Sequence, residues 1–205
     1  MTDATDDFNR ANGALGADWN ILSGTPQINT NGWLGAGIAN WASDTFDNDQ
    51  YSEITGATLL SGSGGPACRM QDVDNLYYIF HDGSTTVGLW RKLAGGFTQL
   101  DSFSGTVNNT SVLRITATGT NIKAFLDTVE VCDATDASFA SGGVGILSNG
   151  GARYDSWLGG PIAGGGGGLS EAASRRGMQG AGGASGGMQF KRRSSGLYIP
   201  EGARC

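Results

Sequence analysis

Short apolar runs separated by glycine turns fill the first 160 residues, and no stretch among them keeps a helical stripe with caps. Leu113-Arg114-Ile115-Thr116-Ala117 alternates apolar and polar side chains. That period of two gives a strand one dry and one wet face. Cys68-Arg69-Met70-Gln71 alternates in the same way, while Leu76-Tyr77-Tyr78-Ile79-Phe80 is apolar throughout and suits a strand covered on both sides. Gly95-Gly96, between Val87–Leu93 and Phe97–Leu100, reads as a hairpin loop. Gly119-Thr120-Asn121 separates Leu113–Thr118 from Ile122–Leu126, and Asp127-Thr128 offers a turn before Val129-Glu130-Val131. Val144–Leu147 and Arg153–Trp157 close the series. Many short strands without helices predict an all-β fold, a two-sheet antiparallel β-sandwich or jelly roll larger than an immunoglobulin domain.

The chain changes character near Gly160. Residues 161–205 hold 13 of the 36 glycines, five of them in succession at 164–168, and Gly-Met-Gln occurs at 177–179 and 187–189. Lys+Arg number 7 against 17 Asp+Glu up to Gly160, and 6 against 2 beyond it. The expected organisation is a domain over 1–160 and an extended Gly-rich basic arm over 161–205. Burial of the arm's few apolar side chains cannot offset the entropy of ordering so much glycine, so the arm needs a partner surface to order. Arg175, Arg176, Lys191, Arg192 and Arg193 would meet an acidic protein neighbour, with Phe190, Leu197 and Tyr198 filling pockets. An acidic body disfavours nucleic acid as the partner. The opening Met1–Asp7 lacks the basic and apolar regions of a signal peptide, and no apolar stretch is long enough to span a membrane.

Catalytic and metal chemistry find little support. Glycoside hydrolysis needs two carboxylates roughly 5–10 Å apart, and Glu occurs only at 53, 130, 171 and 201, none opening an E-x-D-x-E run. No catalytic residue is therefore expected. His81 is the single histidine; no second one accompanies it for a metal cluster, and it reads as a strand-end residue before a turn. Asp72-Val73-Asp74-Asn75 and Asp44–Asp49 offer oxygen ligands for calcium but serve equally as turn residues. No cofactor is expected beyond that open calcium possibility. Cys68 and Cys132 read as buried free thiols.

Exposed aromatics on β-sandwich modules serve as stacking platforms for sugars. Trp33, Trp41, Trp90, Tyr77 and Tyr154 are available for this, with Trp41 and Trp90 the chosen glycan-binding candidates. Trp19 and Trp157 fit strand ends in the core.

The opening run Asp6-Asp7-Phe8-Asn9-Arg10-Ala11-Asn12-Gly13-Ala14-Leu15-Gly16-Ala17-Asp18-Trp19 carries the pattern D-x-F-x-R-x-x-G-x-L-G-x-x-W. The finish carries Gly142-Gly143-Val144-Gly145-Ile146 and Asp155-Ser156-Trp157. With these motifs residues 6–160 resemble the concanavalin A-like lectin/glucanase superfamily, in its laminin-G-like branch. The resemblance implies that the first and last strands pair and bring Phe8 near Trp157. Relatives often carry Asp-Gly where this chain has Asp127-Thr128. The superfamily includes sugar-binding modules, glycosidases and structural domains. Members with this opening and ending are frequent in phage. The resemblance thus implies a non-enzymatic virion protein (a capsid or tail decoration, spike or fibre component) anchored by its arm, homo-oligomeric, joined to other virion proteins, and made in the host cytoplasm. The alternative it implies is a carbohydrate-binding module recognising a host or environmental glycan.

Overall fold

A computed structural model describes residues 2–162 of the chain. Thirteen strands follow one another among these residues: β1 (Ala4–Asp6), β2 (Trp19–Gly24), β3 (Gln27–Ile28), β4 (Trp33–Trp41), β5 (Gln50–Gly56), β6 (Gly64–Asp72), β7 (Asn75–His81), β8 (Thr86–Leu93), β9 (Gly96–Ser104), β10 (Val112–Thr118), β11 (Asn121–Leu126), β12 (Val129–Thr135) and β13 (Gly143–Pro161). The single helical element among them is a 3-10 turn at Leu59–Ser61. Every pairing between named strands is antiparallel.

The long strand β13 joins two layers. Its C-terminal half pairs with β5 and β1, continuing the order β12-β11-β10-β5. Its N-terminal half pairs with β6 and β4, and from there run β6-β7-β8-β9 on one side and β2 on the other. The register breaks between Asn149 and Arg153, where Gly150 and Gly151 take φ values of 86° and 82°. That left-handed backbone favours glycine, and it lets one strand cross between layers. The layers face each other around one core that includes Trp33, Ile54, Tyr77, Ile115, Ile146 and Trp157.

The N-terminal motif is a staple for this core. β1 pairs with the end of β13, with Asp6 opposite Trp157. The buried Asp6 carboxylate accepts from Phe8 N at 2.8 Å, Trp19 Nε1 at 2.8 Å, and Arg10 at 2.6 and 2.9 Å. Arg10 also donates to the Leu15 carbonyl. Burial alone would raise the Asp6 pKa, but these donors outweigh it and hold the carboxyl below its ordinary range. Phe8 and Trp157 both pack on Trp19, at centroid distances of 6.0 and 4.9 Å.

One alternation reading fails. Arg69 does not face water from β6; it is 2% exposed. The chain bulges there, at φ 47°, so the side chain turns inward. Its guanidinium donates to the carbonyls of Asn48, Gly119 and Phe139, tying three loops together. By contrast, β10 alternates as expected, and β7 is covered on both faces. The turns fall close to where the sequence places them, at Ala94-Gly95, Gly119-Thr120 and Asp127-Thr128, with Gly96 and Asn121 already opening β9 and β11.

Candidate functional site

The outer face of the β6-β7-β8 layer carries its own apolar cluster. Inward residues of β7 are Tyr77 and Ile79, which belong to the main core. Period two then sends Leu76, Tyr78 and Phe80 outward, where they pack with Ile38, Ala67, Met70, Leu147 and Trp90. In register, Tyr78 stands opposite Trp90 and Phe80 opposite Gly88. A Cβ at position 88 would collide with Trp90 Nε1, so the missing side chain leaves room for the indole.

Above this cluster lies an open cleft of about 600 Å³, within the ordinary range for ligand sites. Ile38, Leu147, Tyr78, Phe80, Trp90 and Phe97 supply most of its apolar wall, and Gly24, Ala36 and Gly37 keep one side low. Phe97 is 62% exposed. Lys92 Nζ sits 5.3 Å from the Phe97 ring centroid, 2.7 Å from Asp74 Oδ1 and 2.9 Å from the Val73 carbonyl. It thereby braces the Phe97 ring through a cation–π contact while its charge is met by Asp74. Burial pushes the Tyr78 hydroxyl up to about 12, so it remains a protonated donor. Among the described residues, neither the Tyr78 hydroxyl nor Trp90 Nε1 has a protein hydrogen-bond partner.

Of the aromatics singled out from the sequence, Trp90 alone reaches this cleft. Trp33, Tyr77 and Tyr154 are fully buried in the main core. Trp41, chosen as a platform, is also a core residue. Its ring stacks on Trp157 at 5.0 Å and 24°, Trp19 packs edge-on at 5.4 Å, and its Nε1 donates to Asp44. The edge of Trp41 borders a separate hollow near Asn20, Asn40 and Asp44, but no open ring face remains for stacking. Sequence reasoning missed Tyr78, Phe80 and Phe97. The available signal was pairing: once Trp90 faces outward, its partner Tyr78 and the residues two steps along share that face.

Residues weighed for catalysis or metal binding are occupied structurally. Glu53 pairs with Arg114, which lies 3.7 Å from the Tyr51 ring centroid. Glu130 pairs with Lys123. Neither glutamate lines the apolar cleft. His81 ends β7 as expected, is fully buried, and accepts at Nδ1 from Gly83 N. Asp72 accepts from Asp74 N and the Asn75 amide, and Asp49 from Gly119 N. Among the described residues no group of three or more His, Cys, Asp or Glu gathers as a metal site. Cys68 and Cys132 are buried free thiols, and burial pushes them up to about 12 and about 11. Arg175, Arg176, Phe190, Lys191, Arg192, Arg193, Leu197 and Tyr198 lie outside the described residues.

No protein-family model matches the sequence, and no curated protein matches it. Solved structures do match in shape. The carbohydrate binding module CBM66 from Bacillus subtilis aligns at 19% identity and TM-score 0.58, over 73% of this chain and 96% of that one. The GH43 protein BlXynB from Bacillus licheniformis aligns at 15% identity and TM-score 0.55, over 77% of this chain and 39% of that one. The exoplasmic/lumenal domain of VIP36, bound to Ca2+ and Man3GlcNAc, aligns at 13% identity and TM-score 0.52, over 73% and 85%. The fold is the concanavalin A-like β-sandwich. Within that sandwich the crossing strand β13 and the staple around Asp6 account for both sequence motifs. The layer bearing β7 and β8 supplies the one strongly aromatic, open face among the described residues.

Proposed function

We propose that residues 2–162 form a non-catalytic carbohydrate-binding domain whose site is the cleft over Tyr78 and Trp90. The observation that carries this reading is the outward aromatic pair itself. Sandwiches bury aromatics between their layers, yet here Tyr78, Phe80, Trp90 and Phe97 gather on the other side of the sheet. An apolar patch of this kind on a soluble surface marks a binding site. Sugar rings present flat C–H faces that stack on aromatic rings, and two unengaged donors stand among those rings to meet sugar oxygens. Fold likeness to CBM66 and to the mannoside-bound VIP36 domain supports the same reading. The cleft walls contain no carboxylate, which supports binding without hydrolysis. Titration calorimetry against a panel of plant, fungal and bacterial oligosaccharides tests it. Binding that saturates without release of new reducing ends is expected. Absence of binding across the panel would refute it.

A second reading concerns where the domain works. Opposite charge in the two parts of the sequence supports docking of residues 161–205 on an acidic protein surface, as in a virion decoration or fibre component. Loss of particle incorporation on deletion of residues 161–205, with the remaining domain folded, is the expected result.

A further inference from the structure

We infer that the cleft takes an uncharged sugar bearing acetyl groups, rather than a fully hydroxylated or anionic one. The inference rests on the carbohydrate reading above and narrows its ligand class. It follows from the polar inventory of the site. A sugar hydroxyl carried into a cleft must find a partner there or lose the water bonds it had. This cleft gives mainly donors and few acceptors. Ser148 Oγ accepts from Gly150 N and keeps its O–H as a donor. Lys92 gives two of its three N–H donors to Asp74 and the Val73 carbonyl. The polar groups left among the described residues are the Tyr78 hydroxyl, Trp90 Nε1, the Ser148 O–H, one Lys92 N–H, Ser23 and the exposed Asn149 amide, so donors outnumber acceptors.

The remaining wall is Ile38, Leu147, Phe80 and Phe97 with the small Ala36 and Gly37. A linked hexose unit with free hydroxyls at C2, C3 and C6 brings donors that the acceptor-poor wall leaves unpaired. An acetyl group replaces one of them with a methyl, which gains by burial, and a single carbonyl, which the Tyr78 or Trp90 donor satisfies. Charge points the same way. The one cation lining the cleft is matched by Asp74 and no carboxylate lines it, so neither an anionic nor a cationic sugar finds its counter-charge.

Four probes test the inference on the full chain by titration calorimetry: chitotetraose and cellotetraose, which differ only at C2, and an O-acetylated xylo-oligosaccharide before and after alkaline deacetylation. The expected result is affinity about tenfold tighter for an acetylated member over its hydroxyl counterpart, lost in Trp90→Ala. Which acetylated probe is preferred separates the N-acetyl from the O-acetyl source. Equal or tighter binding of the hydroxylated members overturns the inference while leaving the carbohydrate reading in place. Binding of none of the four, with the wider panel also silent, overturns both. Preference for polygalacturonate, or a dimer in sedimentation that shields Trp90 from quenchers, likewise overturns it.

Discussion

Tyr78 and Trp90 stand opposite each other on adjacent strands, and both side chains leave the sheet on the side away from the main core. Residue 77, one step along, points into that core and donates from its hydroxyl to Asp136. Two neighbouring tyrosines thus serve opposite faces of the sheet: one closes the sandwich, the other lies buried beneath the outer cleft and lines it. Trp90→Ala is expected to weaken glycan binding at least about tenfold. Because Trp90 is only half-buried, the melting temperature is expected to change little. Calorimetric titration beside a thermal scan checks both.

Gly88→Ala probes the same platform without removing it. The added methyl meets the indole at Trp90 Nε1, and the indole is the part free to move. The expected outcome is a folded protein with a displaced Trp90 and weaker glycan affinity. Unchanged affinity would mean that the position of the ring is immaterial.

His81 predicts an acid-sensitive fold. Burial lowers its pKa to about 4 from the ordinary 6.5, with Asp82 opposing that shift only in part. The unfolded chain therefore takes up a proton first as pH falls. The stability contributed by neutral His81 is complete above about pH 6.5 and is lost on the way down to about 4, up to ~3 kcal/mol. Urea melts at pH 7, 5.5 and 4.5 are expected to show that slope in the parent chain. His81→Asn keeps an acceptor near Gly83 N and cannot titrate, so its slope over the same window is expected to flatten.

Asp6→Ala removes the acceptor shared by Phe8 N, Trp19 Nε1 and Arg10. Two buried donors lose their partner, and the expected loss is about 3 kcal/mol. Asp6→Asn retains one oxygen acceptor and is expected to lose less. Denaturant midpoints for the two variants check the order.

The β11–β12 turn holds Asp127 at φ 50° and Thr128 at φ 74°, the paired positive values of a type I′ turn. A β-branched residue is strained there. Thr128→Gly is expected to stabilise the domain by about 1 kcal/mol, read as a raised unfolding midpoint.

The strands from β6 onward were legible because their signals are local, whereas β2 to β5 were not singled out from the sequence. Glycine turns and period-two runs mark strands wherever one face is wet, while the pairing of the first and last strands followed from the resemblance carried by the Asp6–Trp19 motif and not from periodicity. Arg69 was not legible: a bulge inverts its face, and its partners at Asn48, Gly119 and Phe139 are distant in sequence. The site was half legible for a related reason. Leu76–Phe80 is apolar on both faces, so its composition does not say which side meets the sandwich. Trp41 and Trp90 look alike as isolated tryptophans, and only strand pairing sends one to Trp157 and the other to the cleft.

The most direct test follows the indole resonance of Trp90 in a two-dimensional 1H–15N spectrum as an acetylated oligosaccharide is added. The account predicts saturable movement of that indole together with amides of Tyr78, Lys92 and Phe97, and none at the Trp41 indole. Saturable shifts centred on Trp41, Asn20 and Asn40, with Trp90 still, would contradict it.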